Sequence, residues 1–558
     1  MYTSQLLRRS YRDEHGKVRH ENLGNLSHLP PEVIDAIRGM LAGRRLVDLD
    51  QDFEIERSLP HGHVAAVLGV LRAVDLERLL GRERCRERDL CVAMIVQRVI
   101  APGSKLSATR RFTQTTLADE LQLGEVKEAE LLSAMDWLSE RQDRIEQTLA
   151  RRHLTDDDGF VLYDLSSSYV EGRHCPLASL GYSRDGKRGT LQVNYGLICS
   201  PEGRPVAVRV HNGATQDQTT TTATVETIKT KFGIDDVVFV GDRGMLTQAH
   251  AQTFKDDGVD FVSALKSPQI RTLVNAGDLQ LSLFDQTNLA EITSPLFPGE
   301  RLIVCRNPAV AAERARKRGE LLAGTETELA HIARMVDGPR GTLRTATAGT
   351  IGQRVGRVIN KYKVAKHFEL DIADGHFTYH QKTEQIAAEA ALDGLYVIRT
   401  TCTPDRLGSH AAVRAYKQLK MAERAFKTMK DTLEIRPIHH HLEDRVRAHI
   451  FLCMLAYYVT FELNARLTPL LFTDETPLAQ IDPVAKATRS PAAAAKAASH
   501  TTSDGHTAHN LPDLLADLAT ITRNQLRIGT TPNTFPKLTT PTPLQARALE
   551  LLNITLHA

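Results

Sequence analysis

Long apolar runs are scarce in this chain. No uninterrupted apolar stretch approaches the ~20 residues that span a bilayer, so no membrane partner is expected. The opening residues, MYTSQLLRRSYRDEHGK, hold no apolar core of the signal-peptide kind. Cysteine is sparse and scattered: seven residues, an odd number, never arranged as CxxC. That excludes a disulfide framework and a cysteine zinc site, and it fits a reducing cytoplasm. Net charge is only +2, so bulk charge does not announce nucleic acid. No internal repeat is present. GxSxG and GxGxxG are both missing, which removes the usual hydrolase and dinucleotide signatures. The basic, glycine-rich GYSRDGKRG (181–189) lacks the Walker order and reads as a mobile loop near substrate.

What remains is the composition of a globular protein, 42% hydrophobic and 25% charged. Its length suits two to four domains, at roughly 100–200 residues each. Residues 1–155 read as a helical N-terminal region that could bind DNA, with Arg110 and Arg111 after a polar turn, and TDDDG (155–159) marks its end. Residues 156–270 turn to strands. FVLYDLSSSYV, TLQVNYGLICS and RPVAVRVHNG form an antiparallel meander, the last two joined by a Pro-Glu-Gly turn, and an α-β-α-β run follows. The expected fold class is α/β, a mixed sheet interrupted by a partly β insertion over 271–390. The sheet pattern resumes over 391–470. An Ala/Ser/Thr-rich stretch within 471–510 reads as a flexible linker, and 511–558 as a C-terminal helical segment.

One helix is unusual. From Arg399 to Lys430 there are eight Lys/Arg against two acids, Asp405 and Glu423. Leu419, Ala422, Phe426, Met429 and Leu433 form an apolar stripe at helical spacing, suited to packing on a sheet. Tyr416, Lys420, Glu423, Lys427 and Lys430 form the neighbouring stripe. Glu423 is thus an acid held beside a sheet and surrounded by cations.

Two other carboxylates have matching positions. Asp164 shares a strand face with Phe160 and Leu162, and Asp242 follows the short buried strand VVFV and a glycine. Strand carboxyl ends in open α/β sheets are where functional groups collect. Each acid alone also reads as a turn or cap residue. Clustered, three carboxylates repel one another unless cations neutralise them, which implies divalent metal. Oxygen ligands suit Mg2+, with Mn2+ as substitute. Two such ions about 4 Å apart serve phosphodiester chemistry, and the flanking Tyr416, Lys420 and Lys430 then serve as contacts to the DNA backbone. The histidines of HHH (439–441) with His449 fit no standard zinc spacing.

Here the residues resemble a known family. Tyr416, Glu423 and Lys430 fall at the spacing of the Tyr-x2-Arg-x3-Glu-x6-Lys motif of DDE transposases from bacterial insertion sequences. Position 419, where that family has Arg, is Leu, and Lys420 stands one residue on. YDLSSSYVEG and VGDRGML resemble the family's two aspartate motifs, and the gap from Asp242 to Glu423 is long enough for its insertion domain. The resemblance covers about 155–465. It implies an RNase H-like core with Asp164, Asp242 and Glu423 as catalytic metal ligands. It also implies cut-and-paste transposition of the element's own DNA and a homodimer that pairs two terminal inverted repeats before joining them to target DNA. The cell compartment implied is the bacterial cytoplasm, with the protein on the nucleoid when DNA-bound. Two other readings use the same residues: an inactive or repurposed transposase that only binds DNA, and a general RNase H-like nuclease.

Overall fold

The computed structural model describes residues 4–44, 53–154, 160–234, 236–284, 287–339, 341–477, 482–485, 487–528 and 533–557. The expected boundary at 155–159 lies outside these residues. The centre of the molecule is a nine-stranded mixed sheet. Phe160–Tyr169 pairs antiparallel with Leu191–Cys199, which pairs antiparallel with Pro205–Asn212. On its other side, Phe160–Tyr169 runs parallel to Val238–Gly241, and that strand runs parallel to Asp260–Ala264. An antiparallel meander followed by parallel strands is an RNase H-like core. The parallel strands read as unbroken apolar runs because helices cover both of their faces.

The turn at Gly203 closes the meander as expected. Its φ of +88° is left-handed, and an added Cβ would lie 2.6 Å from Met421 Cβ, so only glycine fits between turn and helix. The helix Ser409–Lys427 lies on the sheet face that carries Asp164. Tyr195, opposite Ser166 in register, meets Phe426 edge to face at 5.6 Å. All five residues of its apolar stripe are buried. The opposite face is closed by Gln248–Asp256, whose Phe254 packs on Phe239 and Phe261.

The sheet continues past its RNase H-like part. Leu395–Thr400, Arg301–Arg306 and Leu289–Ile292 extend it antiparallel beyond Asp260–Ala264. The insertion lobe therefore begins later than residue 271. It comprises the 30-residue helix Pro308–Asp337, the helix Ala348–Tyr362, the hairpin Phe368–Ala373/His376–Gln381 and the helix Thr383–Ala390. It has an apolar core of its own, centred on Leu329, Ile351, Val355 and Phe377. The expectation of a partly β insertion agrees with that hairpin.

Three readings of the flanks need correction. The N-terminal region is not purely helical: Leu6–Arg12 and Val18–Asn25 form a largely exposed hairpin before the first helix. The C-terminal segment is not purely helical either. Thr522–Ile528 pairs with Thr534–Leu538 and with Phe53–Pro60, joining the two chain ends in one three-stranded sheet. Gly62 marks this junction, since a Cβ there would lie 2.3 Å from the Leu518 carbonyl oxygen. The described part of the stretch read as a flexible linker holds the helix Pro491–Ser499, pinned by Lys496. Its buried ammonium donates to Leu471 O at 3.0 Å and Glu475 Oε1 at 2.7 Å. Polar strands and alanine-rich helices give weak apolar periodicity, and distant partners hold them in place.

Glu443–Arg466 is long and apolar enough to cross a membrane by length and composition. Within the protein, 83% of its apolar window is buried, against helices Arg86–Ile100 and Glu128–Ser139 among others. It is the core helix that joins the N-terminal region to the sheet.

Candidate active site

Backbone register brings the two aspartates together. Tyr163 pairs with Gly241 across the parallel ladder, so Asp164 and Asp242 each sit one residue past a paired position on adjacent strands. Neighbouring strands lie about 4.8 Å apart. Asp164 is half-buried, and its Oδ1 accepts the Leu165 N–H at 2.8 Å. Asp242 is exposed where its strand ends. Glu423 is exposed one helical turn beyond Leu419, on the stripe beside the buried one.

The three carboxyl groups share one electrostatic field. Burial is the largest influence on Asp164 and pushes its pKa up to about 7. The Leu165 N–H works against that shift, while the charges of Asp242 and Glu423 both add to it. The structure therefore places Asp242 and Glu423 where the charge of each acts on Asp164. Among the described residues, no three His, Cys, Asp or Glu side chains close into a ready-made metal cage. The donor set of the acid cluster nonetheless fits a hard divalent cation. All its donors are carboxylate oxygens, Asp164 is raised by two like charges that a cation would neutralise, and Glu423 makes no ion pair among the described residues.

The cationic stripe divides in two. Lys420 and Lys427 are exposed and, among the described residues, make no ion pair. Tyr416 and Lys430 already have protein partners. The Tyr416 hydroxyl donates to Asp242 Oδ1 at 3.1 Å, and burial together with the Asp242 charge raises its pKa, so it stays protonated. Tyr416 thus orients an acid of the cluster. Lys430 donates to Asp185 at 2.7 Å, and Arg436 pairs with the same carboxylate, which is almost fully buried. Lys430 sits in a π-helical turn, Thr428–Thr432, that continues the helix.

Asp185 belongs to the glycine-rich loop expected to be mobile. The loop is instead fastened to the core. The Arg184 N–H donates to Ser167 Oγ at 3.0 Å, the Arg184 side chain pairs with Asp217, and Lys187 lies 3.5 Å from the centre of the Tyr169 ring. The sequence reading missed Arg184, whose charge acts on Asp164. It also missed Arg243, beside Asp242. Arg243 lines a cavity of about 650 Å3 between the sheet and the insertion lobe, together with Arg271, Arg314, Lys317 and Lys363. That lining holds seven Lys/Arg against two acids, more positive charge than the cavity itself neutralises. The signal was present as the pairs Arg184–Asp185 and Asp242–Arg243, but nothing local tells such a pair from a surface turn.

No curated protein matches the chain. A family model, the transposase DDE domain, matches residues 157–459, more than half of the chain and the whole span from before Asp164 to beyond Glu423. With an RNase H-like sheet beneath that span and three acids coupled on its face, the chain belongs to the transposase DDE domain family.

Proposed function

We propose that this transposase cuts the ends of its own DNA element by divalent-metal-dependent phosphodiester hydrolysis and joins the freed 3′ ends to target DNA by cut-and-paste. Asp164, Asp242 and Glu423 hold the ions, Mg2+ with Mn2+ as substitute. The observation that carries the reading is the placement of these acids: register sets Asp164 and Asp242 side by side on adjacent strands, and burial first, then the charges of Asp242 and Glu423, raise the Asp164 pKa. Divalent ions held by these three acids would supply Lewis acidity at the scissile phosphodiester. The chain's own groups do the rest. Tyr416 holds the Asp242 carboxylate by its hydroxyl. Leu165 N–H holds Asp164. Lys420 and Lys427 receive backbone phosphates beside the scissile bond, and the cavity lined by Arg243 and the insertion lobe receives the flanking strand. Two chains pair two inverted-repeat ends in one complex.

The test uses the full-length chain on a labelled duplex carrying the element's terminus and on a random duplex of equal length. The expected result is nicking at the terminus that needs Mg2+ or Mn2+ and stops with EDTA. Equal nicking of both duplexes would identify a general nuclease. End binding without nicking would identify a DNA-binding protein on a catalytic scaffold.

A further inference from the structure

Far from the acid cluster in sequence, two basic side chains are buried and, among the described residues, have no buried acid beside them. Arg98, on the helix Arg86–Ile100, is 6% exposed, and Lys105 is 7% exposed. Neither makes a salt bridge among the described residues. Among the described residues Arg98 donates to the carbonyls of Leu433 (3.4 Å) and Glu434 (3.2 Å). Among the described residues Lys105 has one polar contact, to His449 Nδ1 at 3.5 Å, while His449 Nε2 donates to Ile435 O at 3.0 Å. Burial, and then the Arg98 charge, lowers the Lys105 pKa to about 7, so an anion in the pocket is what would keep it charged. Lys496 shows what a satisfied buried lysine looks like in this molecule. It is equally buried, yet it holds Glu475 at 2.7 Å and several carbonyl oxygens. Buried lysines without a partner are rare because removing the charge from water is costly.

Both cations line a cavity of about 420 Å3 where the N-terminal helices meet the segment after the catalytic helix. Its two lining acids, Glu128 and Glu434, are exposed. His440 lines it too, kept neutral first by burial and then by Lys105, with its pKa lowered to about 3. Arg436, also in the wall, reaches Asp185 and through it Lys430 on the catalytic helix. The pocket therefore offers a guanidinium, a buried amine that a bound anion would hold protonated, and neutral imidazoles, while its two acids lie on the exposed rim.

We propose that the Arg98–Lys105 pocket binds a phosphate group supplied from outside the chain. Several acceptor oxygens on one anion match a guanidinium and an ammonium converging on one space. The phosphate comes either from the DNA backbone or from a free phosphate-bearing molecule. The DNA source rests on the transposase reading, whereas the phosphate chemistry does not.

The test compares wild type with Lys105→Met, which removes the charge and keeps most of the volume. Thermal unfolding of the full chain is run in inorganic phosphate and in chloride at equal ionic strength. The expected result is a phosphate-specific rise of about 2 °C in wild type that the variant lacks. In chloride the variant is at least as stable as wild type, because an uncompensated buried charge is gone. End-DNA affinity measured against salt then identifies the source. A slope lower by about one in the variant assigns the pocket to DNA backbone. An unchanged slope with the phosphate response intact assigns it to a free phosphate-bearing molecule. If Lys105→Met does not fold, equilibrium dialysis of wild type with radiolabelled inorganic phosphate replaces the thermal arm, with saturable binding expected. A chain that shows neither a phosphate response nor a slope change overturns the proposal and identifies Lys105 as a neutral buried amine. If that same wild type nicks end DNA, the pocket falls and the transposase reading stands.

Discussion

Glu300 and Glu423 serve the same sheet under opposite conditions. Glu300 lies in the loop before the strand Arg301–Arg306, 4% exposed, and accepts two hydrogen bonds of 2.6 Å from Arg399 and one of 3.0 Å from Lys255. The Arg399 guanidinium also lies beside the rings of Phe261 and Phe297, at 5.4 and 5.2 Å. Glu423, on the other hand, stands exposed among lysines and pairs with none of them among the described residues. The extended edge of the sheet satisfies its charges internally, and the face with the acid cluster leaves Glu423, Lys420 and Lys427 open among the described residues. A buried ion pair broken on one side costs stability, because the partner charge stays in low dielectric. An open acid cluster costs little to neutralise, because its members already repel one another. The two regions should therefore respond to the same kind of substitution with opposite signs.

The largest expected effect breaks the comparison on the catalytic side. Asp164→Asn, Asp242→Asn and Glu423→Gln should each lower end nicking on the order of 10³-fold or more while leaving end binding nearly intact. Melting temperatures should be unchanged or raised, most for Asp164→Asn, which removes the acid that burial and two like charges already disfavour. A variant that nicks well while folded and DNA-bound removes that residue from the cluster.

The next effect lies at the sheet edge. Glu300→Gln should cost about 3–5 kcal/mol in urea unfolding, because Arg399 is left buried without its partner. Nicking per folded molecule should hold. Adding Arg399→Met should recover much of the loss. If Glu300→Gln were neutral, internal pairing would not be what distinguishes the two regions.

Two smaller effects sharpen the catalytic side. Tyr416→Phe removes the hydroxyl that donates to Asp242. A hydrogen bond to a charged group is worth about 1.5–3 kcal/mol, so single-turnover nicking should fall by roughly 10-fold or somewhat more with end affinity kept. A loss of affinity instead would return Tyr416 to the role of a phosphate contact. The smallest effect is that of Lys420→Ala, which should lower the slope of log affinity against log salt by about one, equally for end and random DNA. An unchanged slope would mark Lys420 as solvated surface.

The legible part of the site shared one property: local spacing. Leu419, Ala422, Phe426, Met429 and Leu433 are all buried, so the helical period placed Glu423 correctly beside the sheet. The strand period placed Asp164 on the face that this helix covers. Lys430 has the same spacing credentials, yet it pairs with Asp185, a residue 245 positions away. No period encodes a contact of that kind. Thr522–Ile528 failed to read as a strand because its polar residues give no alternating apolar pattern, and one of its two partners, Phe53–Pro60, lies far away in sequence.

The sequence by itself determined the order of strands and helices in the core, the positions of Asp164 and Asp242 on neighbouring strands, and the helix stripe that carries Glu423. Each of these follows from backbone geometry that repeats every two or 3.6 residues. Tertiary structure decided which charges are neutralised. Burial and long-range pairing close Glu300 onto Arg399 and Lys430 onto Asp185. They leave Glu423 open to solvent, and among the described residues they leave Arg98 and Lys105 buried with no ion-pair partner. A charge costs little in water and much in the interior, so its role is set by the partners that folding places around it.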